Sequence, residues 1–189
     1  SIPFIAYIKF MSGNKKIFLS DSQIKTFIKL IILSIVILFC YLLIKDNNFS
    51  LSNIRSVSFN VISILTGTGY VTQGFDKWGS FPLFYFLILM FIGGCAGSTT
   101  CGVKIFRIQI LYKFIINQLK KIIYPRGIFI IKYENNTVND KFLASIISFI
   151  FLYIIIFFIL TALLSLTGLD FVTSISGAAT SISNVGPGL

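Results

Sequence analysis

A chain of 189 residues with 56% hydrophobic and only 12% charged side chains carries about half the charge with which an ordinary soluble domain covers its core, so composition excludes that class and points to lipid. The formal net charge of +10, from 16 Lys+Arg against 6 Asp+Glu, would raise nucleic-acid binding in a soluble protein; here its placement between apolar runs matters more than its sum, and no nucleic-acid partner is expected. Histidine is absent and the acids are scattered as Asp21, Asp46, Asp76, Glu134, Asp140 and Asp170, which leaves an enzyme without its commonest general base and without a paired carboxylate.

Residues 1–26 are rich in lysine and read as a cytoplasmic linker and helix start. Ser1 is no initiator, and the first residues lack a secretory signal, so the sequence reads as beginning inside a longer protein. Phe27 to Ile44 is an apolar run with one charge, Lys29, long enough to cross hydrocarbon. Ser56 to Phe75 is uncharged but loaded with Ser, Thr, Asn and Gly, which suits protein or water better than lipid. Within it a helix over 54–65 is expected, followed by Thr66-Gly67-Thr68-Gly69-Tyr70.

Phe81 to Val103 is again uncharged, yet Gly93 to Gly102 holds four glycines in ten residues, which predicts a break in the helix expected over 81–111. The linker 104–141 continues as an amphipathic helix until Pro125. Beyond it, the apolar Gly127 to Tyr133 and the turn signal Asn135-Asn136 before Thr137 and Val138 predict a small hairpin. Phe142 to Leu169 is a third uncharged apolar span, and Phe171 to Leu189 repeats the polar-apolar character of Ser56 to Phe75. Cys40, Cys95 and Cys101 lack metal-ligand spacing and read as small packing residues.

Sorting charge by these spans puts Lys9, Lys15, Lys16, Lys25 and Lys29 on one side with Lys104, Arg107, Lys113, Lys120, Lys121, Arg126, Lys132 and Lys141; Lys45, Arg55 and Lys77 fall opposite. The crowded side is cytoplasmic by the positive-inside rule, provided Ser56 to Phe75 enters and leaves by one face. The basic face has two readings, contact with anionic lipid head groups or docking of a cytosolic partner.

Both polar-apolar stretches share a layout of half-length helix and glycine-containing turn. A dozen helical residues rise only about 18 Å, so such a helix stops near mid-bilayer with its negative carbonyl pole inward. Glycines after it let successive carbonyl oxygens face one axis, where they can replace the water shell of a potassium ion. Ser183-Asn184-Val185-Gly186-Pro187-Gly188 occupies the corresponding place in the second unit. Either turn alone reads equally as a loop between helices. Gly93 and Gly97 also fit a small-xxx-small packing contact, which predicts continuous helix through Thr99, and Gly97 to Gly102 has the spacing of a phosphate cradle, except that Val103 intervenes before Lys104.

The string Phe91-Ile92-Gly93-Gly94-Cys95-Ala96-Gly97-Ser98-Thr99-Thr100-Cys101-Gly102-Val103-Lys104 is similar to the glycine-rich inner-helix break of the third unit in the TrkH branch of the Trk/Ktr/HKT superfamily of potassium transporters. Thr66 to Tyr70 resembles that family's third filter, Thr167 to Phe171 leading to Asn184 to Gly188 its fourth pore helix and filter, and Tyr124-Pro125-Arg126 its inner linker. Gly67 stands where the family usually has Thr, and Thr100 and Cys101 where it usually has Gly.

The resemblance implies an all-α membrane protein of helix, pore helix, filter and helix repeats with a small cytoplasmic hairpin. The third repeat would occupy 27–111 and the incomplete fourth 142–189, with the linker 112–141 between them; two units and the last inner helix would be missing. Thr66, Gly67, Thr68, Gly69 and Tyr70 with Ser183, Asn184, Val185, Gly186 and Pro187 would line an outward-facing potassium filter. Gly93, Gly94, Gly97, Ser98, Thr99 and Gly102 would form an intramembrane gate loop. The resemblance further implies potassium as substrate with no cofactor, the bacterial inner membrane, a homodimer, and a cytosolic TrkA-like nucleotide-binding ring. The rival functions are a secondary ion-coupled transporter with broken helices and a truncated, non-conducting remnant.

Overall fold

The computed structural model describes residues 1–13, 18, 21–46, 51–72, 74, 78–127, 129–134 and 136–187. The expectations for Lys15, Lys16, Phe75, Asp76, Lys77, Asn135 and Gly188 fall outside the described residues. Among those described, the chain forms α1 (Phe4–Met11), α2 (Ser22–Asp46), α3 (Leu51–Thr66), α4 (Ser80–Phe91), α5 (Ile105–Ile123), a hairpin of β1 (Lys132–Tyr133) and β2 (Asn136–Thr137), α6 (Asp140–Leu166) and α7 (Phe171–Ser183).

Helix α2 starts five residues before the apolar run from Phe27. The Asp21 carboxylate accepts from the Gln23 N–H at 2.7 Å and the Ile24 N–H at 3.3 Å, so a side-chain cap satisfies helix-end donors that apolar residues could not. Helices α2 and α6 are long and apolar enough to cross a membrane. Along α6, Phe151, Leu152, Ile154, Ile155, Ile156, Phe158 and Ile159 stay exposed, an apolar surface that water would not tolerate.

The core lies where α2, α3 and α4 meet. Leu38 and Leu42, Val57, Val61, Ile64 and Leu65, and Phe86, Leu89 and Met90 bury together, joined by Ala179 of α7 and Val185 beyond it. The end of α2 and the start of α4 lie together: the Lys45 ammonium near the end of α2 donates to Trp78 O at 2.8 Å, just ahead of α4. After α3 the chain therefore comes back to the end of α2 that it left.

The inner helix breaks as expected: α4 stops at Phe91 and α5 begins at Ile105. That overturns the continuous helix through Thr99. Gly97 has nothing within 4 Å of the position a Cβ would take, so it is no small-residue packing contact between helices; its carbonyl instead accepts from the Phe4 N–H of α1 at 3.2 Å. Helix α5 then runs to Ile123, where Tyr124 and Pro125 end it.

The hairpin is shorter than the apolar run suggested. Lys132 pairs with Thr137 and Tyr133 with Asn136, with one more bond from the Val138 N–H to Ile131 O at 2.9 Å; Gly127 to Ile130 form no strand among the described residues. A strand extends only as far as a partner does, and the second limb turns into α6 at Asp140. Ile131, Tyr133 and Val138 pack on Ile110 of α5 and Leu143 and Ile146 of α6. Burial holds the Tyr133 hydroxyl above the ordinary tyrosine value, so it stays protonated and donates to Gln109 Oε1 at 3.1 Å.

Candidate functional site

Thr66 is the last residue of α3, and its hydroxyl donates back to Ile62 O at 2.7 Å. Gly67 and Gly69 then take left-handed φ values of +67° and +79°, which only glycine adopts without strain. The Gly67 N–H bonds Ile64 O at 3.1 Å and the Thr68 N–H bonds Ser63 O at 3.0 Å. A trans peptide sets its N–H and C=O on opposite sides, so the Thr66 and Gly67 carbonyls point away from the helix that holds their amides.

The returning limb is tied to the same helix. Fully buried Asn60 accepts from the Thr72 N–H at 3.2 Å and the Thr72 hydroxyl at 3.3 Å. Asn60→Ala is expected to cost about 1–2 kcal/mol from lost hydrogen bonds and packing, seen as a lower unfolding midpoint of the solubilised protein; an unchanged midpoint would exclude this anchoring role.

The second turn repeats the device. Asp170 caps α7 by accepting from the Val172 N–H at 3.2 Å. Asn184 ends the helix at φ 50° and ψ 47°, a left-handed conformation that asparagine tolerates. The N–H groups of Asn184 and Val185 both return to Thr180 O, the latter at 3.1 Å, which turns the Ser183 and Asn184 carbonyls outward. The Ser183 hydroxyl faces α6, sharing a 2.6 Å hydrogen bond with the Tyr153 hydroxyl, so only its backbone is free to face an axis.

These two turns, far apart in sequence, touch. A Cβ on Gly69 would overlap Val185 O, and one on Gly186, whose φ is +108°, would lie 3.3 Å from Gly69 Cα. Asn184 O lies 3.8 Å and Thr100 Cγ2 3.7 Å from the corresponding point on Gly67. Both helix ends and one limb of the glycine-rich loop thus converge, with outward-turned carbonyls and no acid in residues 66–70, 93–102 or 183–187. Neutral oxygens without a formal charge suit a weakly held, desolvated monovalent cation.

The loop is a closed structure with a neck. Gly93 N donates to Val103 O and Val103 N to Phe91 O, each at 2.9 Å, and a Cβ on Gly93 would overlap Cys101 O. Gly94 and Thr100 are buried, as is Cys95, whereas Gly97 and Thr99 are exposed. The Gly94 N–H donates to Thr100 Oγ1 at 2.9 Å, and the Ser98 hydroxyl to Cys95 O at 2.6 Å. From outside, Gln23 Oε1 accepts from the Ala96 N–H at 2.8 Å, and Ser1 O from the Cys95 N–H at 2.9 Å. The phosphate-cradle reading fails here, because Lys104 turns back onto Ser98 and Thr100.

Of the residues singled out from sequence, Gly67, Gly69, Asn184, Val185, Gly186 and the loop meet in one place, while Tyr70 lies exposed. Asn60, Tyr153 and Gln23 escaped sequence reading. Asn60 shares the buried stripe of α3 with Ser56 and Ser63 as well as with Val57, Val61, Ile64 and Leu65, so its polarity alone did not single it out.

The family model described as "TrkH: Cation transport protein" matches residues 2–189. The chain is 36% identical over its whole length to the Trk system potassium uptake protein TrkI of Halomonas elongata, and covers 38% of that protein. It is 30% identical to the Trk system potassium uptake protein TrkH of Escherichia coli over 97% of the chain and 38% of the relative. The crystal structure of the potassium transporter TrkH from Vibrio parahaemolyticus superposes with a TM-score of 0.92 at 29% identity, covering 100% of this chain and 41% of that one. The chain thus spans well under half the length of the relatives it matches. Likeness along nearly every residue, in sequence and in helix arrangement alike, leads to one assignment: the chain belongs to the TrkH family of cation transport proteins.

Proposed function

We propose that the chain supplies two of the walls of a potassium-conducting pore in the membrane subunit of a Trk-type uptake system, rather than an enzyme. The observation that carries this is the contact of Gly69 with Val185 and Gly186, which brings two helix ends and their outward carbonyls to one axis. Thr66 to Tyr70 and Ser183 to Pro187 act as filter segments open to the outside, and Gly93 to Gly102 acts as the gate below, adjacent to Gly67 through Thr100. Residues 1–26 and 104–141 face the cytoplasm of a bacterial cell, where the basic linker and its hairpin receive a nucleotide-binding ring; the subunit works as a homodimer in the inner membrane.

The test is potassium-limited growth and rubidium uptake in a bacterium lacking its own uptake systems, expressing the complete reading frame that encodes the chain. Uptake that Gly69→Ser and Gly186→Ser each lower sharply supports one pore with both segments in its wall. No uptake from the intact frame points to a non-conducting remnant, and uptake indifferent to both changes points to another carrier mechanism.

A further inference from the structure

The side chain of Lys104 is placed unusually. It caps α5 at its N-terminal end, where the helix dipole disfavours a cation, and it is half-buried. Its ammonium turns back into the loop and donates to Ser98 O at 3.0 Å, to the Ser98 hydroxyl at 3.3 Å, to the Thr100 hydroxyl oxygen at 3.4 Å and to Thr100 O at close range. Those oxygens belong to neutral groups, and the sequence has no acid between Asp76 and Glu134. The Thr100 hydroxyl among them also accepts from the Gly94 N–H at 2.9 Å and pairs with the Ser98 hydroxyl at 3.0 Å, so the ammonium closes a ring that joins both limbs of the loop.

A monovalent cation ringed by uncharged carbonyl and hydroxyl oxygens has the coordination a potassium ion would accept on the same path. Lysine is a compact charge on a flexible stem, able to enter and leave such a ring. We propose that Lys104 is a positioning residue whose ammonium is a tethered cation: it fills an oxygen cage in the loop, holds the loop folded beneath the filter, and repels permeating potassium until it withdraws. The proposal deepens the gate assignment of Gly93 to Gly102 and rests on it.

The test is rubidium flux into proteoliposomes holding the complete subunit, with no regulatory partner added, for Lys104→Met, Lys104→Arg and a variant with the loop shortened by removal of 96–99. Loss of charge-assisted bonds in Lys104→Met is expected to raise basal flux about tenfold, with Lys104→Arg staying within about twofold of the parent because its charge remains. Lys104→Gln replaces the methionine variant should the latter not reach the membrane. The proposal is overturned where the shortened loop raises flux but the neutral variants do not, and also where arginine raises it as much as methionine. Flux that stays low even with the shortened loop overturns the gate assignment itself.

Discussion

Serine at Gly69 is expected to lower rubidium uptake by about two orders of magnitude, while serine at Gly67 lowers it by no more than about fivefold. The two glycines share the left-handed region, at φ +79° and +67°, so backbone strain of about 1–2 kcal/mol per residue is common to both. What separates them is space. A Cβ on Gly69 overlaps Val185 O, whereas one on Gly67 meets its nearest neighbour at 3.7 Å. The first substitution must displace backbone in the opposite turn, and the second only reorients a threonine methyl. Gly186, with a Cβ 3.3 Å from Gly69 Cα, should fall between them for serine. Uptake by each variant, normalised to its abundance in the membrane, gives the order; equal losses at Gly67 and Gly69 would mean that contact between the turns is irrelevant to conduction.

Valine at Gly93 is expected to open the neck of the glycine-rich loop. Its Cβ overlaps Cys101 O and comes within 3.1 Å of Gly102 C, and both are backbone atoms that no rotamer change can move aside. Overpacking of this kind costs about 1–3 kcal/mol, and it falls on a neck held by the Gly93–Val103 and Val103–Phe91 hydrogen bonds of 2.9 Å. The solubilised protein should unfold at a lower temperature, and, with the loop as gate, basal rubidium flux should rise. Valine at Gly97 is the control: that glycine has φ +71° but open space around it, so strain acts without a clash and both effects should be smaller. A Gly93→Val protein with the parent's unfolding midpoint and flux would exclude the crossed-limb neck as a constraint on conduction.

Much of this arrangement was legible along the chain because the bilayer makes local rules strict. Backbone groups in hydrocarbon must be satisfied within their own helix, so apolar run length marked α2 and α6 to within a few residues, and the four glycines from Gly93 to Gly102 marked the break. Boundaries were less legible where a polar side chain set them. Asp21 drew the start of α2 back to Ser22, and the linker hairpin shrank to Lys132–Tyr133 and Asn136–Thr137 for want of a longer partner.

The sequence by itself determined the lipid-facing character of the chain, two short helices each followed by a glycine-bearing turn, the first of them running to 16 residues from Leu51 where a dozen were expected, and the unwound loop between α4 and α5. Each follows from hydropathy, rise per residue or the conformational freedom of glycine, all of which act within a few residues. Only the tertiary structure decided that Gly69 meets Val185, that Tyr153 holds Ser183, that Asn60 ties down Thr72, and that Lys104 closes on Ser98 and Thr100 instead of pointing to solvent. Such pairings have no periodicity to read. They arise because buried polar groups take whichever partners packing brings within hydrogen-bonding distance.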